Sequence, residues 1–547
     1  MSAPKRILLI GATGVFGREL ARGLATIAGV TLTLTSRTLS KAQAVAAPLR
    51  AGAAAFNKGD NAAAFFARWK PWLVIDASGP FQGADYALAR AAIQSGAHWI
   101  DLADARDFLL GFSAALDAPA RAQGVCALTG VSTTPALSGA AARALTQGWQ
   151  RVDTIDTAVL PGGSSLVGQS VLAAILSRAG VCIAAFRDGG ATQTLGWGSA
   201  TRVDLPGVGK RWAAPVEVAD PELLAQSLKA HSRVSFSAGL ENRLEHFGLI
   251  ALAWARRIGL VRRPEKLAGL LLRARRVTAR FGRDSGGMTV CVSGLDAQGR
   301  WRVERWTLLA HKGQGPLVPT LPALALARQM ARGEIPAAGA RPAHEILEIA
   351  AIEAEMAPYA MTAQRDTPGG LDKSLFETRL GAGYAVLPPM VQRLHAADSP
   401  PVWQGRASVT RGANPLAWLI GKIVGFPPTN PDVPVRVTID RSADGETWTR
   451  DFGGARFSSR LHVAQGELRE SFGPMTFVIA LAGTAQGVAM PVSGWRYFGI
   501  PMPRFLAPRS EAFETQTADG AFQFDVRVSL PPGIPLAHYK GWLRPAR

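Results

Sequence analysis

A glycine-rich turn near the N-terminus carries the clearest chemistry in this sequence. The turn reads Gly-Ala-Thr-Gly-Val-Phe-Gly and directly follows an apolar run, residues 6–10, that predicts a buried strand. Glycine lets the backbone turn tightly and approach a pyrophosphate, whose charge is stabilised by the free N–H groups that begin the next helix. The strand–turn–helix context therefore predicts a dinucleotide site. The residues expected to contact the cofactor in this turn are Gly11, Thr13, Gly14, Val15, Phe16 and Gly17.

The end of the second predicted strand, residues 30–35, indicates which dinucleotide is bound. Ser36 and Arg37 follow this strand, Lys41 comes one helical turn later, and no acidic residue is nearby. An Asp or Glu here would bind the ribose 2′-hydroxyl of NAD, whereas a guanidinium binds a 2′-phosphate and stacks on adenine. The sequence therefore favours NADP over NAD. The alternative is that Arg37 belongs to a solvated loop of an arginine-rich chain.

Polar residues after the later predicted strands are candidates for meeting the substrate, because parallel sheets bind ligands at the carboxyl ends of their strands. Asp101 and Asp104 follow the fifth strand, and a carboxyl there can orient a cation or donate a proton if burial raises its pKa. The alternative for Asp101 is a helix cap. His98 is expected to be structural. The cofactor contacts predicted after the fourth strand are Ala77, Ser78, Gly79 and Pro80.

Two other classes of dehydrogenase are disfavoured. A short-chain dehydrogenase needs Tyr-x-x-x-Lys, in which the lysine lowers the tyrosine pKa, but Tyr86 is followed at this spacing by Arg90. A semialdehyde dehydrogenase needs an activated thiolate, whereas Cys126 lies in an apolar run typical of a core.

The three cysteines are widely spaced and lack Cys-x-x-Cys, which excludes a thiolate zinc site and favours a reducing, cytoplasmic compartment. No metal site is predicted.

These residues must be positioned by a chain of 547 residues, a length that predicts about three domains. Residues 1–137 alternate short apolar runs with helical segments, which predicts a doubly wound parallel sheet, completed by about 318–350. Residues 138–317 predict a central α+β domain with a largely antiparallel sheet, serving the substrate or a homodimer contact. Residues 351–384 are interpreted as a linker, and residues 385–547 as a mainly antiparallel β domain entered through a helix, 415–424. Its hairpin signals are Asp444-Gly445 and Asp519-Gly520.

The chain has 60 Lys and Arg against 41 Asp and Glu, a formal charge of +19. Because this charge is spread evenly, specific nucleic-acid binding is not predicted. Residues 254–283 concentrate basic side chains among leucines, a pattern that fits peripheral contact with an anionic membrane or, alternatively, an exposed helix face. No secretory signal and no apolar stretch of about 20 residues is visible, so we expect a cytoplasmic protein.

Several motifs, taken in order, resemble the NADP-binding domain of the saccharopine dehydrogenase-like family. They are Gly11–Gly17, Thr35–Arg37, Asp76–Phe81 and Ser95–Leu102, and a later segment, Gly313–Pro316, resembles that family's return to the nucleotide domain. The resemblance covers roughly residues 5–350. It implies an NADP-dependent oxidoreductase but transfers no substrate, because members of the family act on different compounds. A carbonyl or enoyl group on a hydrophobic or lipid-like molecule is our first expectation.

The remaining chain, from about Val386 to Trp542, resembles a bacterial domain of unknown function that often follows such domains. Motifs at Trp403-Gln-Gly, Phe472-Gly-Pro and Tyr539-Lys-Gly-Trp carry this resemblance. Tryptophans on a curved antiparallel sheet can line a pocket for an apolar ligand or form an ordinary core. The alternative for the whole chain is a non-catalytic NADP-binding sensor or a membrane-surface scaffold. In that case the C-terminal β domain binds the ligand or partner.

Overall fold

The computed structural model describes residues 4–163, 169–278, 282–415, 418, 426–442, 445–531 and 533–546. A parallel seven-stranded sheet, which we call the first sheet, lies in the N-terminal part of the chain. Its strands are β1 (Lys5–Ile10), β2 (Val30–Ser36), β3 (Gly52–Ala55), β4 (Leu73–Asp76), β5 (His98–Asp101), β6 (Cys126–Thr129) and, from a distant segment, β15 (Gly339–Pro342). The strand order is β15-β6-β5-β4-β1-β2-β3, so the chain reverses direction across the sheet between β1 and β4. Ligands bind at such a reversal in doubly wound sheets.

Helices cover both faces of the first sheet, because its central strands are apolar and buried on both faces. Gly23 lets helix α1 pack tightly, since an added Cβ atom would lie 2.5 Å from the Leu324 side chain. The helices here are α1 (Val15–Leu24), α2 (Leu39–Ala46), α3 (Ala62–Trp69), α4 (Ala87–Gln94), α5 (Arg106–Ala122), α6 (Ser138–Leu145), α11 (Leu321–Ala331) and α12 (Ile349–Ala354). This architecture confirms the predicted doubly wound parallel sheet.

A second, mixed sheet follows, which we call the central sheet. Its strands are β7 (Arg151–Leu160), β8 (Cys182–Arg187), β9 (Gly190–Leu195), β10 (Thr201–Leu205), β11 (Gly209–Pro215), β12 (Arg233–Ala238), β13 (Gly286–Leu295), β14 (Trp301–Ala310) and β16 (Met361–Leu371). Their order is β10-β11-β12-β7-β13-β14-β16, and β8 pairs with β12 and β9. Strands β7 and β12 pair in parallel, while the other pairs are antiparallel, which confirms a largely antiparallel sheet. The accompanying helices are α7 (Gln169–Arg178), α8 (Asp220–Ser227), α9 (Arg243–Arg257) and α10 (Ala268–Thr278).

Residues 351–384 are not the linker that the sequence predicted. Strand β16 lies in this segment and pairs with β14 from Met361 to Leu371, at the edge of the central sheet. Pro368 and two glycines conceal the strand signal, but an edge strand tolerates proline because its outer N–H groups need no partner. Helix α13 (Leu375–Leu380) follows, and its Phe376 packs into the core of the C-terminal part.

The C-terminal part is an antiparallel sheet of thirteen strands, as the sequence predicted. Its strands are β17 (Val402–Arg411), β18 (Asn430–Ser442), β19 (Gly445–Phe452), β20 (Ala455–Ala464), β21 (Glu467–Phe472), β22 (Met475–Ile479), β23 (Ala482–Thr484), β24 (Gly487–Ala489), β25 (Val492–Tyr497), β26 (Ile500–Pro501), β27 (Arg509–Gln516), β28 (Phe522–Leu530) and β29 (Ile534–Pro545). Helices α13 and α14 (Pro389–His395) pack with it, and we call residues 375–546 the C-terminal domain. Most of the predicted helix 415–424, and Asp444, lie outside the described residues.

The C-terminal domain is joined to the central sheet by an ion pair. Arg233, in β12, donates to Asp440 in β18 over 2.7 Å and also pairs with Asp156 in β7.

Among the described residues, no helix is long and apolar enough to cross a membrane. The basic region 254–283 spans the end of α9 and all of α10, and the side chains of residues 274–281 lie outside the description. Membrane contact through this region stays a prediction.

Candidate functional site

The glycine turn joins β1 to α1 with the geometry of an anion-binding turn. Gly11 has φ +79°, and the Gly14 N–H donates to the Gly11 carbonyl over 3.0 Å. Gly14 is the N-cap of α1, and this helix has neither a side-chain cap nor an acidic residue in its first turn. The N–H groups of residues 15–17 therefore lack intrahelical partners and form the positive end of the helix dipole. This uncapped end suits a phosphate group.

The same turn is closely fitted to the loop after β4. A Cβ atom added to Gly11 would lie 2.8 Å from the Ser78 Cα, and one added to Gly17 would lie 2.1 Å from the Gly11 carbonyl oxygen. Since β1 and β4 are neighbours in parallel register, their two loops share the carboxyl edge of the first sheet. The structure thus brings the residues predicted after β4, 77–80, next to those of the glycine turn.

The residues predicted at the end of β2 lie beside this turn. Ser36 is buried, and its hydroxyl oxygen lies 3.3 Å from that of Thr13. Arg37 and Lys41 are both exposed, and within the described chain no carboxylate forms an ion pair with either. Two unpaired cations therefore stand where an NAD site would carry an acid.

Asp76 and Lys58 are part of this edge, although sequence reasoning gave neither of them a role. Asp76 ends β4, is buried, and accepts hydrogen bonds from the N–H (2.8 Å) and the hydroxyl of Ser78. Burial raises the pKa of Asp76, while Lys58, 4.0 Å away, acts in the opposite direction. An Asp side chain often accepts from the backbone N–H two residues later, as in an Asx-turn, so a sequence signal for this role existed. Asp76 holds the loop that faces Gly11.

Asp101 is fully buried and its two oxygens are already occupied by the protein. One oxygen accepts from the Trp99 indole (2.9 Å), and the other accepts from the Thr129 hydroxyl (2.8 Å) and from the N–H groups of Ala103 (3.0 Å) and Gly130 (2.9 Å). Burial raises the pKa of Asp101 to about 6, against the effect of these hydrogen bonds. The arrangement ties the ends of β5 and β6 together. This arrangement favours a positioning role for Asp101 over the predicted catalytic role. The alternative prediction of a helix cap is also not met, because the N-cap of α5 is Ala105.

Asp104 differs from Asp101 because its side chain reaches solvent. Gln82, from the loop after β4, donates to its carboxylate over 3.3 Å. The pKa of Asp104 is raised because surrounding protein removes part of its hydration, although the residue is exposed to solvent. Of the two carboxyls predicted after β5, Asp104 is therefore the one that a substrate can reach.

Asp220, at the start of α8, is a buried carboxyl that the sequence did not reveal. It is 1% exposed, and in the described part of the chain neither oxygen has a partner within hydrogen-bond geometry. Burial raises its pKa to about 7. Helix α8 packs against residues 133–137, which follow β6, and the Arg106–Glu222 ion pair (2.6 Å) holds it to α5. Asp-Pro in a sequence predicts a helix start, so no local signal marks this burial.

His98 and Cys126 are structural. The Cys126 N–H donates to the His98 Nδ1 over 3.1 Å between neighbouring strands. Burial raises the pKa of the Cys126 thiol to about 11, so it holds its proton at neutral pH and is not an activated nucleophile.

Two segments of the chain match known protein families. Residues 7–128 match the saccharopine dehydrogenase NADP binding domain, and residues 387–543 match a domain of unknown function, DUF4166. The chain therefore carries a nicotinamide-nucleotide-binding domain of the saccharopine dehydrogenase type, followed by this second domain. Both resemblances expected from the sequence are confirmed. A comparison with curated proteins finds no match.

Several solved structures are similar to this chain. Saccharopine dehydrogenase (L-Glu forming) from Saccharomyces cerevisiae is 13% identical, with 66% of this chain and 99% of that chain covered and a TM-score of 0.48. Amine dehydrogenase from Mycobacterium smegmatis is 12% identical, with coverages of 63% and 95% and a TM-score of 0.33. A meso-dapdh mutant from Clostridium tetani is 12% identical, with coverages of 64% and 98% and a TM-score of 0.33.

Proposed function

We propose that this protein is an NADP-dependent oxidoreductase that transfers hydride to or from a carbonyl or enoyl group of a hydrophobic or lipid-like substrate. One observation carries the proposal. Arg37 and Lys41 stand unpaired at the end of β2, beside the uncapped N-terminus of α1. A pyrophosphate and a 2′-phosphate together match this pair of positive sites, whereas NAD lacks the second phosphate.

The residues at the carboxyl edge of the first sheet fit such a cofactor. The turn Gly11–Gly17 would hold the pyrophosphate, because a side chain on either end glycine would overlap neighbouring backbone. Ser36, Arg37 and Lys41 would hold the 2′-phosphate, and residues 77–80 would line the path toward the substrate. The nicotinamide would supply or accept the hydride, and the protein would bind the substrate, orient it and exclude water.

Asp104 would hold the proton that a carbonyl oxygen takes up when it is reduced. Its raised pKa increases the protonated fraction near neutral pH, which is the property of an effective general acid. Asp101 would act behind it by fixing the ends of β5 and β6. The basic region 254–283, with its leucines, and the C-terminal domain support a hydrophobic substrate, so the chain length of the substrate is the variable to test.

The test measures NADPH consumption by the full chain against straight-chain aldehydes, ketones and enoyl thioesters of increasing length. We expect consumption with long-chain members. Asp104→Asn should lower turnover by about 100-fold or more while NADPH still binds. Asp107→Asn is the matched control, because this carboxylate lies in the first turn of α5 and is 83% exposed. If the protein binds NADPH but consumes it with none of these compounds, the result would contradict the oxidoreductase and support the non-catalytic NADP-binding sensor.

A further inference from the structure

The C-terminal domain contains a mainly apolar, partly open cavity of about 670 Å³. Side chains alternate between the two faces of a strand, and along β19, β27 and β28 every second residue lines the cavity. The lining side chains include Val437, Phe452, Phe472, Phe477, Phe524 and Val526. Ligand pockets span about 300–1,000 Å³, so the cavity has room for a small molecule. Its lining comes from residue 376 onward, so it is separate from the cofactor site.

The predicted tryptophans contribute little to this cavity. Trp448 lines it, whereas Trp403 is buried in the surrounding core and Trp542 is 39% exposed. The apolar wall is built mainly from phenylalanine and aliphatic side chains. It therefore offers a long hydrocarbon chain or an alicyclic ring a mainly apolar surface away from water.

The charged groups in the cavity wall are already paired with one another. Arg450 lies 3.6 Å from Glu470 and donates to the Ser459 hydroxyl over 2.8 Å. Glu514 lies 2.6 Å from the His395 Nε2. Among the lining residues that the structure describes, no cation is left over for a ligand carboxylate. A ligand carboxylate would also meet the two glutamates, so its transfer from water would be strongly unfavourable.

Tyr539 contributes a further polar group to the wall. It is 8% exposed, and in the part of the chain that the structure describes its hydroxyl makes no hydrogen bond, although three phenylalanine rings contact its ring. Burial raises its pKa to about 12, so the hydroxyl keeps its proton and can both donate and accept. A hydroxyl without a protein partner in a largely apolar cavity is usually satisfied by water or by a ligand.

We propose that the C-terminal domain binds a neutral apolar molecule with one oxygen function, such as a long-chain alcohol, ketone or ester, whose oxygen hydrogen-bonds to the Tyr539 hydroxyl. The apolar body fills the cavity, and the paired charges leave no place for an ionised headgroup. This site is separate from the proposed oxidoreductase site, and the inference does not depend on hydride transfer.

An exposed apolar segment adjoins the cavity and supports the same class of ligand. Tyr497 and Pro508 both line the cavity. Between them in the chain, Phe498 is 74% exposed, Ile500 65% and Phe505 75%. Exposed apolar patches of this kind mark contact sites for apolar ligands or lipid surfaces. A neutral lipid would therefore meet apolar surface before it reaches the cavity.

The test is displacement of the uncharged, environment-sensitive dye Nile red from the full chain by decan-1-ol, decanoate or decane at pH 8. The two oxygenated ligands have the same chain length and differ in charge. We expect decan-1-ol to bind at least about tenfold more tightly than decanoate, because only decanoate must bury a charge. Equal or tighter binding of decanoate, or no dye uptake at all, would overturn the proposal.

A variant locates the ligand oxygen. Tyr539→Phe keeps the ring and removes the hydroxyl, so decan-1-ol binding should weaken about fivefold while decane binding is unchanged. Tyr359→Phe, which lies outside the cavity, is the matched control and should bind both as the wild type does. Ala512→Trp, which fills the cavity from β27, should abolish binding of both ligands. Decan-1-ol binding unaffected by Tyr539→Phe would contradict the assigned contact.

Discussion

Gly11 and Ser78 approach one another so closely that a Cβ atom added to Gly11 would lie 2.8 Å from the Ser78 Cα. Gly11 follows β1 and Ser78 follows β4, so this contact joins the two loops at the point where the first sheet reverses. Asp76 holds the Ser78 loop in place by accepting its N–H. The two loops are therefore packed directly against each other at the proposed cofactor site.

Gly11→Ala should destabilise the protein and prevent NADPH binding. The left-handed conformation at φ +79° costs a side chain about 1–2 kcal/mol, and overlap with the Ser78 backbone adds to this. We expect the thermal unfolding temperature to fall by about 4 °C or more. Gly59→Ala is the control, because a Cβ atom there meets nothing within 4 Å. Equal melting curves for the two variants would contradict the close contact.

Asp101→Ala should destabilise the first sheet rather than only slow catalysis. It leaves four donors, from Trp99, Ala103, Thr129 and Gly130, without their acceptor in a buried site. Each such group costs about 1–3 kcal/mol, so we expect a loss of about 3 kcal/mol or more in urea unfolding. Asp107→Ala, at an exposed position, should change stability little. A stable Asp101→Ala protein that binds NADPH but does not turn over would support a catalytic role instead.

Local sequence patterns were sufficient for the glycine turn and the parallel sheet, because short apolar runs, glycine spacing and helical segments are properties of neighbouring residues. The residues that sequence reasoning missed depend on contacts between distant segments. Asp220 is buried only because α8 packs against residues 133–137. Arg450 would be read as a surface residue, since its charge is compensated by Glu470 from another strand. Strand β16 was concealed by Pro368, which an edge position tolerates.

Asp220 should make stability fall as the pH rises from about 4 to 7. Its folded pKa is about 7 and its usual value is 3.8, so between these values the unfolded chain releases a proton that the folded protein keeps. Deprotonation thus favours unfolding, by up to about 4 kcal/mol at pH 7 and above. Asp220→Asn cannot ionise, so its unfolding free energy should fall less steeply over this range. The check is urea unfolding at several pH values, with Asp85→Asn as the exposed control, and identical slopes for Asp220→Asn and wild type would contradict the buried carboxyl.

The most direct test of the account is calorimetric titration of the full chain with NADPH and with NADH, repeated for Arg37→Ala. Arg68→Ala, an exposed arginine in α3 of the same domain, is the control. We predict that NADPH binds more tightly than NADH and that Arg37→Ala weakens NADPH binding by at least tenfold, about 1.4 kcal/mol, without affecting NADH. No binding of either nucleotide, or equal weakening of both, would contradict an NADP-dependent site at the end of β2.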